Sequence, residues 1–238
     1  MLINKNSLFL MLLLAGVVSS CVVYHPHNAD IPLLHEKGEM QLDASASLSA
    51  PLLAHPALNA SFSYAPLSAL GMQASVSVTN VNTFYAQAMV GTFHPFDRMV
   101  LEGYLGYGYG MSCNDNINTV RDVHYRVDGQ YSLYFGQVDI GWVNLVEGDF
   151  DIGMGVKGGL MKSQWEKVLL PEDGNESIEE NLLGSHYLIE PQLMLRIGGQ
   201  KVKFSINVSY AYLTDWPTDN NFFNYERFSA SLGLHFRF

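Results

Sequence analysis

Residues 202–212 read VKFSINVSYAY, and the period of that stretch decides the fold. Val202, Phe204, Ile206, Val208, Tyr210 and Tyr212 share one parity, while Lys203, Ser205, Asn207 and Ser209 share the other. Successive side chains of a strand point to opposite faces, so the stretch is a strand with one apolar and one polar face. The C-terminus repeats the pattern, with Phe228, Ala230, Leu232, Leu234, Phe236 and Phe238 set against Ser229, Ser231, His235 and Arg237. Working outward, the same period recurs around 40–48, 58–64, 72–78, 101–109, 134–142, 150–156 and 187–197. Residues 84–93 (FYAQAMVGTF) are ambiguous, with apolar groups on both parities. The count comes to about ten strands of roughly ten to thirteen residues, and no useful length shows a helical 3.6 period.

The connections supply an independent test. Residues 112–128 and 163–184 are long and 213–224 is of medium length, and with 49–57 and 79–83 they are the odd-numbered connections. The even-numbered ones, 66–71, 94–99, 144–149 and 198–201, are all tight. Long loops on one side and tight turns on the other are what a barrel spanning a membrane predicts, and the strand lengths suit a tilted crossing of hydrocarbon. The aromatics sort with the same geometry. Trp142, Phe204, Phe236 and Phe238 fall near the turn side, and Tyr107, Tyr109, Tyr187, Tyr210 and Tyr212 near the loop side. Two such girdles mark the heights where water meets lipid. The expected fold class is therefore all-β: an antiparallel up-and-down transmembrane barrel.

Composition agrees. Of 238 residues, 48% are apolar and 15% charged, against about 25% charged in an ordinary soluble domain. Disorder is excluded by the apolar and aromatic content. A net charge of −10 repels phosphate, so nucleic acid is not an expected partner. No apolar run is long enough for a membrane-spanning helix.

The N-terminus reads MLINKNSLFLMLLLAGVVSSC. Lys5 supplies a positive region, Leu8 to Val18 an apolar core too short to cross a bilayer, and Ser19 and Ser20 the small residues before Cys21. Val18-Ser19-Ser20-Cys21 resembles a bacterial lipobox. That resemblance implies a signal peptide over 1–20 and acyl chains on the thiol and amine of Cys21. Residues 21–38, with two prolines early and no alternation, are expected to be an extended tether, and 39–238 the barrel. No acidic cluster follows Cys21, which points weakly to an anchor facing the periplasm. With the Cys21 thiol acylated, Cys113, in a Ser/Asn/Asp-rich stretch, has no partner for an intramolecular disulfide and is expected in a loop.

With Leu234, Phe236 and a terminal Phe238, the last strand resembles the C-terminal strand of small outer-membrane β-barrel proteins of Gram-negative bacteria. The stretch HPHNADIPLLHEKGEM is similar to tethers of lipoproteins that carry such a barrel. The resemblance implies recognition by the barrel assembly machinery through the last strand, and residence in the outer membrane with a lipid anchor at Cys21. It implies no catalytic residue.

The polar parity then lines a lumen. Glu102, Asp139, Asp151 and Glu190 are expected there with Lys157, Arg196, Lys203 and Arg237, joined by Arg227 and His235, in a plug of opposite charges. Lys157 and Glu190 are expected to face each other across neighbouring strands, since buried charges must pair. Gly103, Gly106, Gly108 and Gly110 read as small lumen residues that relieve crowding. No phosphate loop, HExxH, CxxC or GxSxG is present, and no cofactor or metal is expected. His25, His27 and His35 with Asp30, Glu36 and Glu39 form only a weak metal candidate, and Ser185, His186 and Glu190 only a forced hydrolase constellation. The acidic Pro171–Asn181 loop and the aromatics Trp216, Phe222 and Phe223 suit contact with cations, a glycan or a protein. The expected role is structural or interactive through the external loops. The rivals are a barrel holding an apolar ligand inside, a narrow channel, and, less favoured, a lipid-modifying enzyme.

Overall fold

The computed structural model describes residues 22–24, 26, 31–50, 55–79, 83–118, 123–145, 149–170, 177–214 and 224–238. Its strands are β1 (Val22–Tyr24), β2 (Met40–Ala50), β3 (His55–Leu67), β4 (Leu70–Thr79), β5 (Thr83–Phe96), β6 (Met99–Asn118), β7 (Val123–Leu145), β8 (Phe150–Leu170), β9 (Ser177–Gly198), β10 (Val202–Tyr210), β11 (Tyr212–Leu213), β12 (Asn224–Tyr225) and β13 (Phe228–Arg237). β2 to β10 pair in sequence, and β13 pairs with both β10 and β2, which closes a ten-stranded antiparallel barrel. β11 prolongs β10 past Ala211 and keeps pairing with β9. The alternating stretches thus became strands with their apolar parity outward: Leu105, Val138, Val156, Leu193 and Leu232 are between 49% and 73% exposed. Left-handed backbone at Asp97 (φ 56°) and Asn144 (φ 54°) helps turn the chain at the tight end, a conformation that Asn and Asp tolerate better than most residues.

The wall is uneven. β6 to β9 run 20, 23, 21 and 22 residues, while β10, β13 and β2 run 9, 10 and 11. The segments expected as loops, 112–128 and 163–184, are largely ladder, since β6 and β7 stay in register to Asn118↔Val123 and β8 and β9 pair to Leu169↔Ser177 with one register shift between Lys167 and Val168. The additional residues, about ten per strand, raise that side by about 25 Å at ordinary rise and tilt.

The cause of the mismatch is an inversion of pattern. Along β7, Tyr134 and Val138 point outward and Gln137 and Asp139 inward. Nearer the loop end the outward positions are Arg126, Asp128, Gln130 and Ser132, while the inward ones are Val127, Tyr131 and Leu133. The strand is the same; what lies on either side of it has changed. Cys113, expected in a loop, belongs to β6 and is half-buried.

The N-terminal segment runs through the barrel. β1 pairs in parallel with β12 at the loop end, and the backbone of Glu226 donates to the carbonyl of Tyr24 (2.8 Å). At the turn end Met40 exchanges backbone hydrogen bonds with Phe238 and opens β2. Between them Ile31, Leu33 and Leu34 lie in the lumen, none more than 1% exposed. The region expected as an extended tether is an inner filling at Tyr24 and at residues 31–34, while Glu36, Lys37 and Gly38 are exposed at the turn end. The physical reason is Ile31-Pro32-Leu33-Leu34, a run too apolar to remain in water when an enclosed apolar space is within reach.

Candidate functional site: the filled lumen

The lumen is built in three levels. At the turn end, Glu39 closes the entry to β2. Its Oε2 accepts the backbone N–H of His35 (2.7 Å), and its Oε1 accepts from Gln41 (2.7 Å) and pairs with Arg237 (2.8 Å). Just inside, Asp43 Oδ1 meets His235 Nδ1 (2.7 Å) and Arg196 (3.5 Å), and Asp151 accepts from Lys203 (2.6 Å) and from the backbone of Asn144 (2.8 Å).

The second level grips the threaded segment from two walls. Glu102 accepts the backbone N–H groups of Leu33 (2.9 Å) and Leu34 (2.8 Å), with Tyr104 adding its hydroxyl (3.1 Å). Leu33 has φ 53°, unusual for a leucine, and successive N–H groups around a left-handed residue form a small anion-binding concavity. Here the anion comes from the barrel wall. Arg196 donates in the opposite sense, to the carbonyls of Ile31 (3.0 Å) and Pro32 (3.2 Å). Apolar packing completes the grip, with Ile31, Leu33 and Leu34 against Phe93, Val100, Val143 and Met194.

The third level is the middle of the barrel. Lys157 and Glu190 are register partners, as their spacing predicts, with Nζ and Oε1 at 3.7 Å and both side chains fully buried. Lys157 also donates to Gln87 (3.3 Å) and sits 5.1 Å from the centre of the Phe135 ring. Tyr24 reaches down from β1 to donate to Glu190 (2.8 Å). Asp139 is held by Gln137 (2.9 Å). Above this level apolar groups predominate: Tyr24, Tyr85, Tyr131, Leu133, Met161 and Trp165 pack together beside the buried Ser163 and His186. Inward glycines make room for the rings. A Cβ at Gly106, Gly108 or Gly110 would enter the rings of Phe135, Tyr85 or Tyr131.

Nine of the ten groups expected in the lumen face inward, but they do not form one cluster. Most make separate ion pairs, while Glu102 holds backbone N–H groups of the N-terminal segment and Asp139 is held by Gln137. Arg227 is a correction: it is exposed and stacks on Tyr225 (5.7 Å), because β13 begins one residue later and the parity rule does not reach it. Gly103 also faces away from the lumen, with open space where a Cβ would stand. Ser185 is exposed, so His186 meets a different serine: its Nε2 lies 3.2 Å from Ser163 Oγ and its Nδ1 3.3 Å from the carbonyl of Thr214. His25, His27, Asp30, Cys21, Pro171 to Glu176, Trp216, Phe222 and Phe223 lie outside the described residues. Among the described residues no group of three metal-ligating side chains forms.

The girdle residues stand on the outer face. Tyr107, Tyr187, Phe204, Tyr210, Tyr212 and Phe238 are between 42% and 69% exposed, while Tyr109, Trp142 and Phe236 are half-buried. At the loop-side boundary the hydroxyls of Tyr107 and Tyr109 bond outward-facing Ser132 (3.0 Å) and Gln130 (2.6 Å), where the outer surface turns polar.

Sequence reasoning missed Glu39, Asp43 and Tyr24 as partners. Asp43 lies on the polar parity of β2, which was a usable signal. Tyr24 lies in a segment without period, so nothing local announces that it reaches Glu190.

No protein-family model matches the chain, and no curated protein matches it. Among solved structures it is similar to the outer membrane protease OmpT of Escherichia coli, at TM-score 0.59 and 8% identity, covering 84% of this chain and 94% of that one. It also aligns with the KdgM porin (TM-score 0.41, 12% identity, 83% and 99% covered) and with the Ail protein of Yersinia pestis (0.37, 12%, 85% and 99%). The chain thus has the fold of an outer-membrane β-barrel, carrying an additional inner strand.

Proposed function

We propose that this protein is an outer-membrane barrel sealed by its own N-terminal segment, which acts by what it presents at the loop-side end. The observation that carries the reading is the double grip of Glu102 and Arg196 on residues 31–34, which occupies the lumen with the protein's own backbone. The apolar outer belt between two aromatic girdles supports residence in a bilayer, and the outward parity of Leu234, Phe236 and Phe238 supports delivery by the barrel assembly machinery. The high wall of β6 to β9, polar outside, supports a surface that meets a glycan or a protein partner beyond the headgroups. The reading includes acyl chains at Cys21 and no catalytic step.

The test is electrical. In planar bilayers the full chain is expected to give no steady conductance, and a variant lacking residues 22–34 to open one. Steady conductance by the intact chain overturns the sealed reading in favour of a channel. Carbonate-resistant membrane association and a heat-dependent shift on SDS gels are the accompanying checks of the barrel itself.

A further inference from the structure

The direction of threading bears on where the N-terminus ends. β2 starts at the turn end, where Met40 pairs with Phe238 and Tyr64. Reading backward from there, the segment passes Glu102 and Arg196 near the turns, then places Tyr24 beside Tyr131 (5.6 Å) in the upper core. It finishes with Val22 paired to Asn224, four residues before Phe228 begins β13. Residues 224 and 225 belong to the long connection between β11 and β13, on the same end as the other long loops. The N-terminal end of the segment therefore lies at the rim opposite the tight turns.

It also lies at the low part of that rim. β10, β13 and β2 stop at 9 to 11 residues, close to the outer aromatic girdle of Tyr210, Tyr212 and Phe228. Across the barrel β6 to β9 stand far higher. A group attached just before Val22 is held near the headgroup boundary, away from the summit of the wall.

We infer that the lipid anchor of this protein sits on the outer side of the membrane. Cys21 is joined to Val22 by one peptide bond, and the low rim of β10, β13 and β2 beside Val22 puts the outer leaflet within reach of a lipid attached there. In their attachment the thiol attacks the glyceryl carbon of a donor phospholipid, the Sγ–C bond replaces the C–O bond to the headgroup phosphate, and that phosphate leaves with the thiol proton; after signal cleavage the freed amine attacks an acyl ester of a second phospholipid, and the amide forms as the lysophospholipid alcohol leaves with the amine proton. Both steps precede barrel closure, since the finished wall leaves no passage for the chains. This reading opposes the periplasm-facing anchor expected from the absence of an acidic cluster, and the experiment decides between them.

This inference rests on the outer-membrane reading, and the experiment separates the two. An eight-residue epitope is inserted between Cys21 and Val22 in the full chain, and cells are fed an alkynyl palmitate. The expected result is antibody binding to intact cells that does not rise on permeabilisation, on a palmitate-labelled band that keeps its heat-dependent mobility shift. A heat-shifted, labelled band whose epitope is reached only after permeabilisation overturns the outward anchor and leaves the barrel reading intact. A band released by carbonate with no heat shift defeats the barrel reading itself. In case the insert disturbs closure, Val22→Cys with Asn224→Cys in a Cys113→Ser background gives a second measurement. Oxidation is expected to join residues 22 and 224, and failure to join them in a heat-shifting barrel overturns the threading.

Discussion

The two halves of β7 differ in sign and in nothing else. In the lower half the outward residues are Tyr134, Val138 and Ile140 and the inward ones Gln137 and Asp139; in the upper half the outward residues are Arg126, Asp128 and Gln130 and the inward ones Val127, Tyr131 and Leu133. One continuous ladder with β8 runs through both. The difference teaches that a period of two reports a strand, while the parity that carries the apolar groups reports the medium outside it. Lipid outside requires an interior that pairs its charges; water outside permits an ordinary apolar core.

The sharpest way to break this contrast is to strand a charge in the lower interior. Lys203→Ala leaves Asp151 buried without its ammonium, and a loss of about 3–5 kcal/mol is expected in urea unfolding of the refolded barrel in lipid vesicles. Lys203→Met combined with Asp151→Asn is expected to recover most of it. The next effect is outside. Val138→Arg, at 61% exposure in the apolar belt, is expected to cost about 2–4 kcal/mol, whereas Gln130→Arg on the outward face of the same strand stays within about 0.5 kcal/mol. Equal costs at the two positions would remove the boundary drawn here between them. In the upper interior, Leu133→Ala is expected to cost about 2–3 kcal/mol, as in a water-soluble core, with no change in the lower ion pairs.

The smallest effect is a pH dependence at the loop end. Glu226 is buried beside Ser49, and burial lifts its carboxyl pKa from 4.5 to about 7. Between those values the folded state keeps a proton that the unfolded chain has released, so stability falls as pH rises through that window and levels off above it. Glu226→Gln is expected to flatten that slope in unfolding curves taken across the window.

Much of the lower half was legible because each strand there repeats one sign for its whole length. Register followed too: Lys157 opposite Glu190 could be placed by counting from the turns, since tight hairpins fix register. The upper half was read as loop because its alternation was required to keep the same sign, and Ser, Asn and Asp at 112–116 look like turn chemistry until paired with β7. The filling of the lumen left one trace. Residues 84–93 are apolar on both parities because Phe84, Ala88 and Val90 face outward while Tyr85, Met89 and Phe93 meet the inner core. A strand greasy on both sides of a barrel signals apolar matter within, but nothing in it says which part of the chain supplies that matter. The grip on residues 31–34 was hidden for a different reason: it uses backbone N–H and carbonyl groups, which every sequence possesses.

The threaded segment has a mechanical consequence. A linear chain passed through a closed ring is a rod in a bead and can slide free toward its smooth end. With the acyl chains proposed at residue 21 on one side and the ring's own covalent continuation at Met40 on the other, neither end could pass. On that proposal the molecule is a self-threaded rotaxane, its lipid serving as the stopper. Pulling on the segment from the periplasm would then load the barrel hydrogen bonds themselves, and extraction would require a seam such as β2–β13 to tear before the segment could leave.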